Sequence, residues 1–313
     1  MVVVDVGVGR VGGLLHGYSQ LMLLPPARRP DPWILKLARA QSHIEDLEAR
    51  VRTFLDSEPC DLQHVAVAGG LGLRLRVKTP PPPELAAIVG DAVHNLRSAL
   101  DTSFVGCVEK AVGRDLTEAE ARALALPTSA SPTEFEQRAE RLAARRDIDA
   151  LVAARARTLA LNVQSFAEPS GYWADRHGTA PGGEVEARTQ QELGVALRRL
   201  ARLSNTDKHR GVHFAWWGLD HLFAFTDGRD AAWRVAPGPW EDGDTVVILE
   251  PAEPDEAFAP LLQGKISITL PEAEAEDGID LVGQLGHFYF WANRAVEILA
   301  FEVDRIANAP RAS

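Results

Sequence analysis

Apolar residues recur at helical spacing over several long stretches of this chain. In residues 33–57 each apolar position follows the previous one by three or four residues, which predicts one helix with a single buried stripe. Asp31 and Pro32 precede it, an N-cap residue followed by a proline at the first helical position. The same periodicity predicts long helices at 84–112, 189–207 and 279–307, with shorter ones within 114–160.

Two other regions show the alternating period of β-strands. Gly69 and Gly70 favour a hairpin turn, and the residues after them alternate between apolar and basic. The apolar set is Leu73, Leu75 and Val77, and the basic set is Arg74, Arg76 and Lys78. This basic face is either a solvated outer face or a ridge that contacts phosphate. Residues 212–270 contain further strand-like segments, whereas the Gly- and Pro-rich residues 167–188 predict a loop.

These patterns together predict an α+β protein. We expect a mainly helical bundle core, an N-terminal β-hairpin and an antiparallel β segment at about 212–270 before the last helix. Residues 31–313 are expected to form one domain, and residues 1–30 a poorly ordered N-terminal extension. No run of eighteen or more apolar residues occurs, so we expect no contact with a membrane.

The charge of the chain is unevenly distributed. The formal net charge is −11, and residues 241–280 alone hold twelve acidic residues and one lysine, which sum to −11. The rest of the chain is therefore neutral, and the acidic total does not exclude a nucleic acid partner. Cys60 and Cys107 are the only cysteines, and neither has metal-ligand spacing. This usage favours a reduced, cytoplasmic protein without a zinc site.

The helix predicted at 84–112 carries an unusual polar face within the block GDAVHNLRSALDT, residues 90–102. Exposed helix faces normally carry long side chains, whereas Asp, Asn, Ser and Thr are poor helix formers. Short polar groups in this pattern indicate either a buried hydrogen-bonded network or a functional site. The polar face consists of Asp91, His94, Asn95, Ser98, Asp101 and Thr102, and the same block contains Arg97.

A second block, NTDKHR at residues 205–210, ends a helix that also carries Arg198, Arg199 and Arg202. His209 is flanked by Asp207, Lys208 and Arg210. Such a histidine can move a proton while the neighbouring cations hold a phosphate. The alternative is capping, with cations at the helix C-terminus and Asn205 and Asp207 bonded to local backbone.

The two blocks, in this order, resemble a widespread family of uncharacterised bacterial proteins. Members of that family typically show a GDxxHNLRSALDH block and a later NxxDKHR-like block. The resemblance covers about residues 31–305, and Thr102 stands where such relatives often have histidine. A more distant resemblance is to HEPN domains, helical bundles that often dimerise and include metal-independent ribonucleases with an Arg-x(4–6)-His motif. Arg202 and His209 fit that motif with six intervening residues.

Three hypotheses of function follow. The first is a HEPN-like ribonuclease or nucleic-acid-processing enzyme that needs no cofactor. Its partner would be RNA or another phosphate-bearing ligand. The resemblance to HEPN domains also implies a homodimer. In it His209 takes the 2′-hydroxyl proton, Asp207 orients the imidazole, and Arg202, Lys208 and Arg210 stabilise charge. The second is a non-catalytic binding or assembly module whose two blocks form one polar network. The third is a metal hydrolase that uses Asp91, His94, Asp207 and His209, in which nearby cations would repel the metal. We expect the two blocks to meet in space, although about 110 residues separate them in the chain.

Overall fold

The computed structural model describes ten stretches of the backbone. They are residues 2–3, 31–67, 70–169, 171–177, 183–210, 216–226, 231–235, 240–251, 261–269 and 280–308. Within these stretches the description leaves out the side chains of residues 2, 3, 174, 177, 207–210, 216–226, 231–233, 251, 261–267 and 269.

Eight helices occur in the described stretches. They are α1 (Pro32–Asp56), α2 (Pro83–Val112), α3 (Glu118–Ala123), α4 (Pro132–Ala143), α5 (Ala150–Leu161), α6 (Gly171–His177), α7 (Glu184–Arg210) and α8 (Leu281–Asn308). None of these eight is long and apolar enough to cross a membrane.

The described strands form two antiparallel sheets. The strands are β1 (Val2–Val3), β2 (Cys60–Val67), β3 (Gly70–Val77), β4 (Trp216–Thr226), β5 (Ala231–Val235), β6 (Thr245–Pro251) and β7 (Leu261–Thr269). One sheet has the order β1-β4-β7 and the other the order β2-β3-β6-β5. The hairpin β2–β3 pairs Cys60 with Val77 and Val67 with Gly70, and β3 then pairs with β6.

The predicted α+β class is confirmed. The apolar stripes of the long helices are buried as their spacing predicts, from Leu37 to Phe54 in α1 and from Leu85 to Cys107 in α2. In β3 the apolar Leu73 and Leu75 are buried while Arg74 and Arg76 are exposed. The basic face of this strand is therefore open to solvent.

The predicted loop at 167–188 is wrong in part, because it contains α6 and the start of α7. Tyr172 and Trp173 of α6 are buried, at 8% and 3% exposure. Their rings make edge-to-face contacts with Phe301 and Trp291 of α8, at centroid distances of 6.0 and 6.4 Å. The burial of these aromatic rings outweighs a local composition that favours a loop.

The backbone divides into two compact units, each made of separate stretches. The first contains residues 1–24, 43–90 and 210–286, and within it both sheets. The second contains residues 25–42, 91–209 and 287–313, and within it the helices from α3 to α6 and nearly all of α7. The expectation of one domain from residue 31, preceded by a poorly ordered extension, stays a prediction.

Buried amide side chains connect three segments of the second unit. Gln164, 2% exposed, donates from Nε2 to the carbonyl oxygens of Pro127 (2.8 Å) and Ala160 (2.9 Å). Its Oε1 accepts from the backbone N–H of Ser129 at 2.9 Å. Gln190 of α7 donates to the carbonyl oxygens of Asn162 and Gln164 at 2.9 and 3.0 Å. The two amides thus link α7, the end of α5 and the segment after α3 by hydrogen bonds.

Gly194 of α7 lies against the turn that follows α5. A Cβ atom at this position would lie 2.2 Å from the backbone nitrogen of Ser165, far inside contact distance. Only glycine permits this approach of helix to backbone. The contact fixes where α7 lies along the end of α5.

We expect Leu96→Ala to lower the free energy of unfolding by about 2–5 kcal/mol, because truncating a fully buried leucine leaves a cavity. Leu96 is 0% exposed on α2, whereas Leu35 of α1 is 52% exposed. Urea unfolding monitored by circular dichroism measures the loss, and Leu35→Ala is the matched control, expected to change stability little. Equal effects of the two substitutions would contradict the assigned core.

Candidate functional site

The polar face predicted on α2 divides into two parts. Asp91 and His94 are exposed, whereas Asn95 is 9% exposed and donates from Nδ2 to the carbonyl oxygen of Asp91 at 2.8 Å. Thr102 likewise donates to the carbonyl oxygen of Ser98 at 2.7 Å. These local bonds satisfy the short side chains within their own helix. Asn95 and Thr102 therefore have a structural explanation.

Arg97 and Asp101 form a two-point ion pair in the next part of the block. Nε of Arg97 donates to Oδ2 of Asp101 at 3.1 Å, and Nη2 donates to Oδ1 at 2.7 Å. Both side chains also hold the backbone of Leu126, whose carbonyl oxygen accepts from Arg97 at 2.6 Å and whose N–H donates to Asp101 at 2.9 Å. Nη1 of Arg97 is buried and has no hydrogen-bond partner. The two N–H donors of this nitrogen are thus unsatisfied within the protein.

This ion pair lines a pocket of about 380 Å³ in the second unit. Its apolar wall includes Phe104 of α2 and Phe135 of α4, each 1% exposed. The charged and amide side chains in the lining are Arg97, Asp101, Arg138, Arg157 and Asn205. The lining therefore contains three cations and one carboxylate.

The half-exposed side chains of Arg138 and Arg157, at 42% and 46%, mark the mouth of the pocket. Arg138 pairs with Glu134 on α4 at 2.6 Å, and Arg157 of α5 holds Glu136 through two bonds of 2.9 and 2.5 Å. Arg157 lowers the pKa of Glu136 below its usual range. The pKa of Glu134 is lowered chiefly by the N–H of Ala130 and then by Arg138. Both carboxylates are thus ionised at neutral pH.

A buried carboxylate anchors the wall of the pocket formed by residues 123–128. Glu120 of α3, 3% exposed, accepts from Nη1 and Nη2 of Arg114 at 2.9 Å and from the N–H of Thr117 at 2.8 Å. Its Oε1 also accepts from the N–H of Asp149, where α5 begins, at 3.4 Å. The bonds from Arg114, and next those from Thr117, hold the pKa of Glu120 far below its ordinary value.

The second block lies in the last turns of α7. Asn205 lines the pocket together with Arg97 and Asp101, so these residues of the two blocks lie at one pocket. The expected polar network shared by the two blocks stays a prediction. Arg202 is exposed. The side chains of Asp207, Lys208, His209 and Arg210 lie outside the described residues, and the roles assigned to them stay predictions.

Arg198, one of the cations noted before the second block, forms hydrogen bonds that hold neighbouring segments together. Its Nη1 donates to the carbonyl oxygen of Ser129 at 3.2 Å and to Oγ of Ser165. Burial lowers the pKa of Arg198; Glu134 opposes this shift, and Arg202 and Arg199 add to it. Positive charge is therefore concentrated on the part of α7 that leads to Asn205.

The sequence patterns missed Arg138 and Arg157 as candidate site residues. Both lie in a segment rich in Arg and Glu that reads as a salt-bridged surface helix, and their ion pairs agree with that interpretation. Only the packing of α4 and α5 beside α2 places the two guanidinium groups at one pocket. No local signal in the sequence marks this placement.

Comparison of the chain with family models, with curated proteins and with solved structures found no match in any of the three. The resemblances noted from the two blocks therefore stay predictions. Among the side chains that the structure describes, no group of three His, Cys, Asp or Glu residues could hold a metal ion.

We expect Asp101→Ala to lower the free energy of unfolding by about 1–3 kcal/mol, because it strands Arg97 and the N–H of Leu126. Asp46→Ala is the matched control, since Asp46 forms an exposed pair with Arg50 at the same helical spacing. An exposed pair of this kind contributes only about 0–1 kcal/mol. Urea midpoints measure both effects, and a loss for Asp101→Ala no larger than the control would show that the pair does not hold the pocket wall.

The depressed pKa of Glu120 predicts a pH dependence of stability. The carboxylate stabilises the fold fully above the ordinary glutamate pKa of 4.5, and this contribution is lost as pH falls below that value. Glu120→Gln should therefore be less stable than the parent at neutral pH, and the difference should shrink in acid. Thermal unfolding as a function of pH measures it. Glu118→Gln, at an exposed position of the same helix, should show no such convergence.

Proposed function

We propose that this protein is a metal-independent nucleic-acid-processing protein that binds the phosphate of RNA and cleaves the strand beside it. One observation carries the proposal: Arg97 of the first block and Asn205 of the second line one pocket, together with Arg138 and Arg157. Guanidinium groups match phosphate in geometry and charge, and each keeps donors beyond those that a carboxylate partner uses. An arginine-rich pocket with an amide beside it suits a phosphate group of RNA.

The geometry of α7 supports His209 as the base. In an α-helix, positions 202, 205 and 209 fall on one side, because each residue advances about 100° around the axis. Position 209 is one turn beyond Asn205, which lines the pocket. We take this helical spacing as support for His209 as the group that acts on a strand whose phosphate occupies the pocket.

The reaction that fits these groups is attack by the ribose 2′-oxygen on the adjacent phosphorus. His209 takes the 2′-hydroxyl proton as the new P–O bond forms, and the bond from phosphorus to the 5′-oxygen breaks. The leaving 5′-oxygen takes a proton from solvent, which leaves a 2′,3′-cyclic phosphate and a 5′-hydroxyl. Arg202, Lys208 and Arg210 stabilise the charge that develops on the phosphate oxygens, and Asp207 orients His209.

A second candidate function is a non-catalytic binding or assembly module. The bonds that Arg97 and Asp101 make to the backbone of Leu126 favour it, because they give both residues a structural role. In that case the polar blocks hold segments together, and their loss costs stability rather than activity. The two candidates differ in what His209 does.

We expect His209→Ala to lower the rate of RNA cleavage by about 10²–10⁴-fold, the usual loss on removal of a general base, with little change in the urea midpoint. Purified protein is incubated with single-stranded RNA, with and without EDTA, and the products are separated on a denaturing gel. His64→Ala, at an exposed position of β2, is the matched control and should cleave like the parent.

Cleavage that EDTA abolishes would contradict the metal-independent mechanism. Absence of cleavage by the parent, or a large drop in stability for His209→Ala, would replace the nuclease by the binding or assembly module.

A further inference from the structure

The pocket lined by Arg97, Arg138 and Arg157 has the size of a site for one small ligand. Its volume of about 380 Å³ lies in the lower part of the range of ~300–1,000 Å³ for small-molecule sites. A nucleic acid duplex is far too wide for it. One nucleotide unit, free or at the end of a strand, is the part of a nucleic acid that the pocket can enclose.

The polar lining suits the phosphate of such a unit. A phosphate monoester carries about −1.5 to −2 charges at neutral pH and presents three acceptor oxygens. Arg97, whose side chain is 13% exposed, lines the pocket beside Arg138 and Arg157. Arg138 and Arg157 pair with half-exposed carboxylates, and such exposed pairs are weak enough to exchange for a phosphate.

The remainder of the lining suits a nucleoside. Pro127, Ala139 and Leu142, each partly exposed, form an apolar wall against which a base or a sugar ring can pack. Asp101 uses its oxygens for three hydrogen bonds, and a carboxylate has about four acceptor positions, so one is left for a ribose hydroxyl. Asn205 adds an amide donor and acceptor. Inorganic phosphate alone would leave this wall unused.

We propose that the pocket binds a nucleoside monophosphate group, with its phosphate among Arg97, Arg138 and Arg157 and its nucleoside against the wall of Pro127, Ala139 and Leu142. The inference rests on the proposed function in treating RNA as one source of that group, the other being the free nucleotide. In both cases a terminal phosphate, which has one more charge than a phosphodiester, is the recognised group.

Isothermal titration calorimetry of the full chain tests the site. The probes are the four nucleoside 5′-monophosphates, the corresponding nucleosides, inorganic phosphate, and a short single-stranded RNA with either a 5′-phosphate or a 5′-hydroxyl. We expect the monophosphates to bind more tightly than inorganic phosphate, and the nucleosides to bind at least about tenfold more weakly, since they lack the charge-assisted bonds. Tighter binding of the 5′-phosphorylated RNA than of the free monophosphates would identify the strand end as the source, and the reverse order the free nucleotide.

Three substitutions separate ligand binding from structural roles. Arg157→Gln should weaken binding of the monophosphates about tenfold, the loss of one charge-assisted contact. Glu136→Gln should strengthen binding, because it releases Arg157 from its carboxylate partner. Arg145→Gln is the matched control, since Arg145 forms a half-exposed pair with Asp147 outside the pocket, at 48% and 47% exposure. It should bind like the parent.

Failure of all four monophosphates to bind, equal binding of monophosphates and nucleosides, or unchanged binding by Arg157→Gln would each overturn the inference. Monophosphate binding by a protein that does not cleave RNA would support the pocket and reject the nuclease. Cleavage that depends on His209, without monophosphate binding, would reject the pocket and retain the nuclease.

Discussion

Buried side-chain amides satisfy backbone groups of the non-helical segments around the pocket. A chain segment between helices has N–H and C=O groups that no helix satisfies, and burying them without partners is costly. Gln164 satisfies such groups at Pro127 and Ser129, and Gln190 does so at Asn162 and Gln164. Trp173 completes the chain by donating to Gln190 at 2.9 Å. Loss of these amides would leave buried backbone groups of the segment after α3 and of the turn after α5 without partners.

Arg97 also makes several hydrogen bonds with one side chain, so it is hard to assign it to one role. A guanidinium has five donors, and the contacts to Asp101 and Leu126 use only part of them. In the proposed site, one arginine side chain both supports the protein backbone and binds the ligand. Evidence for the structural role of Arg97 therefore does not argue against the proposed binding role.

Local periodicity was sufficient for much of the fold. The stripes of α1, α2 and α8 and the β2–β3 hairpin depend on near neighbours in the chain, which a sequence displays directly. The pairing of β3 with β6 and the helix α6 depend on distant residues, so no local pattern predicted them. The residues of the candidate site also divide into those that local sequence indicates and those that only packing brings together. Arg97 stood out in a block of short polar residues, whereas Arg138 and Arg157 were indistinguishable from ordinary surface arginines until packing placed them at the pocket.

The close approach at Gly194 makes the length of α7 between that glycine and Asn205 a fixed quantity. Asn205 follows Gly194 by eleven positions, which corresponds to about three turns and a net rotation of only about 20°. The contact with Ser165 and the pocket therefore lie on the same side of α7. Inserting or deleting a single residue between them would turn Asn205 by about 100° away from the pocket, although every hydrogen bond of the helix could re-form. Substitution is thus tolerated in this stretch far more readily than any change of length.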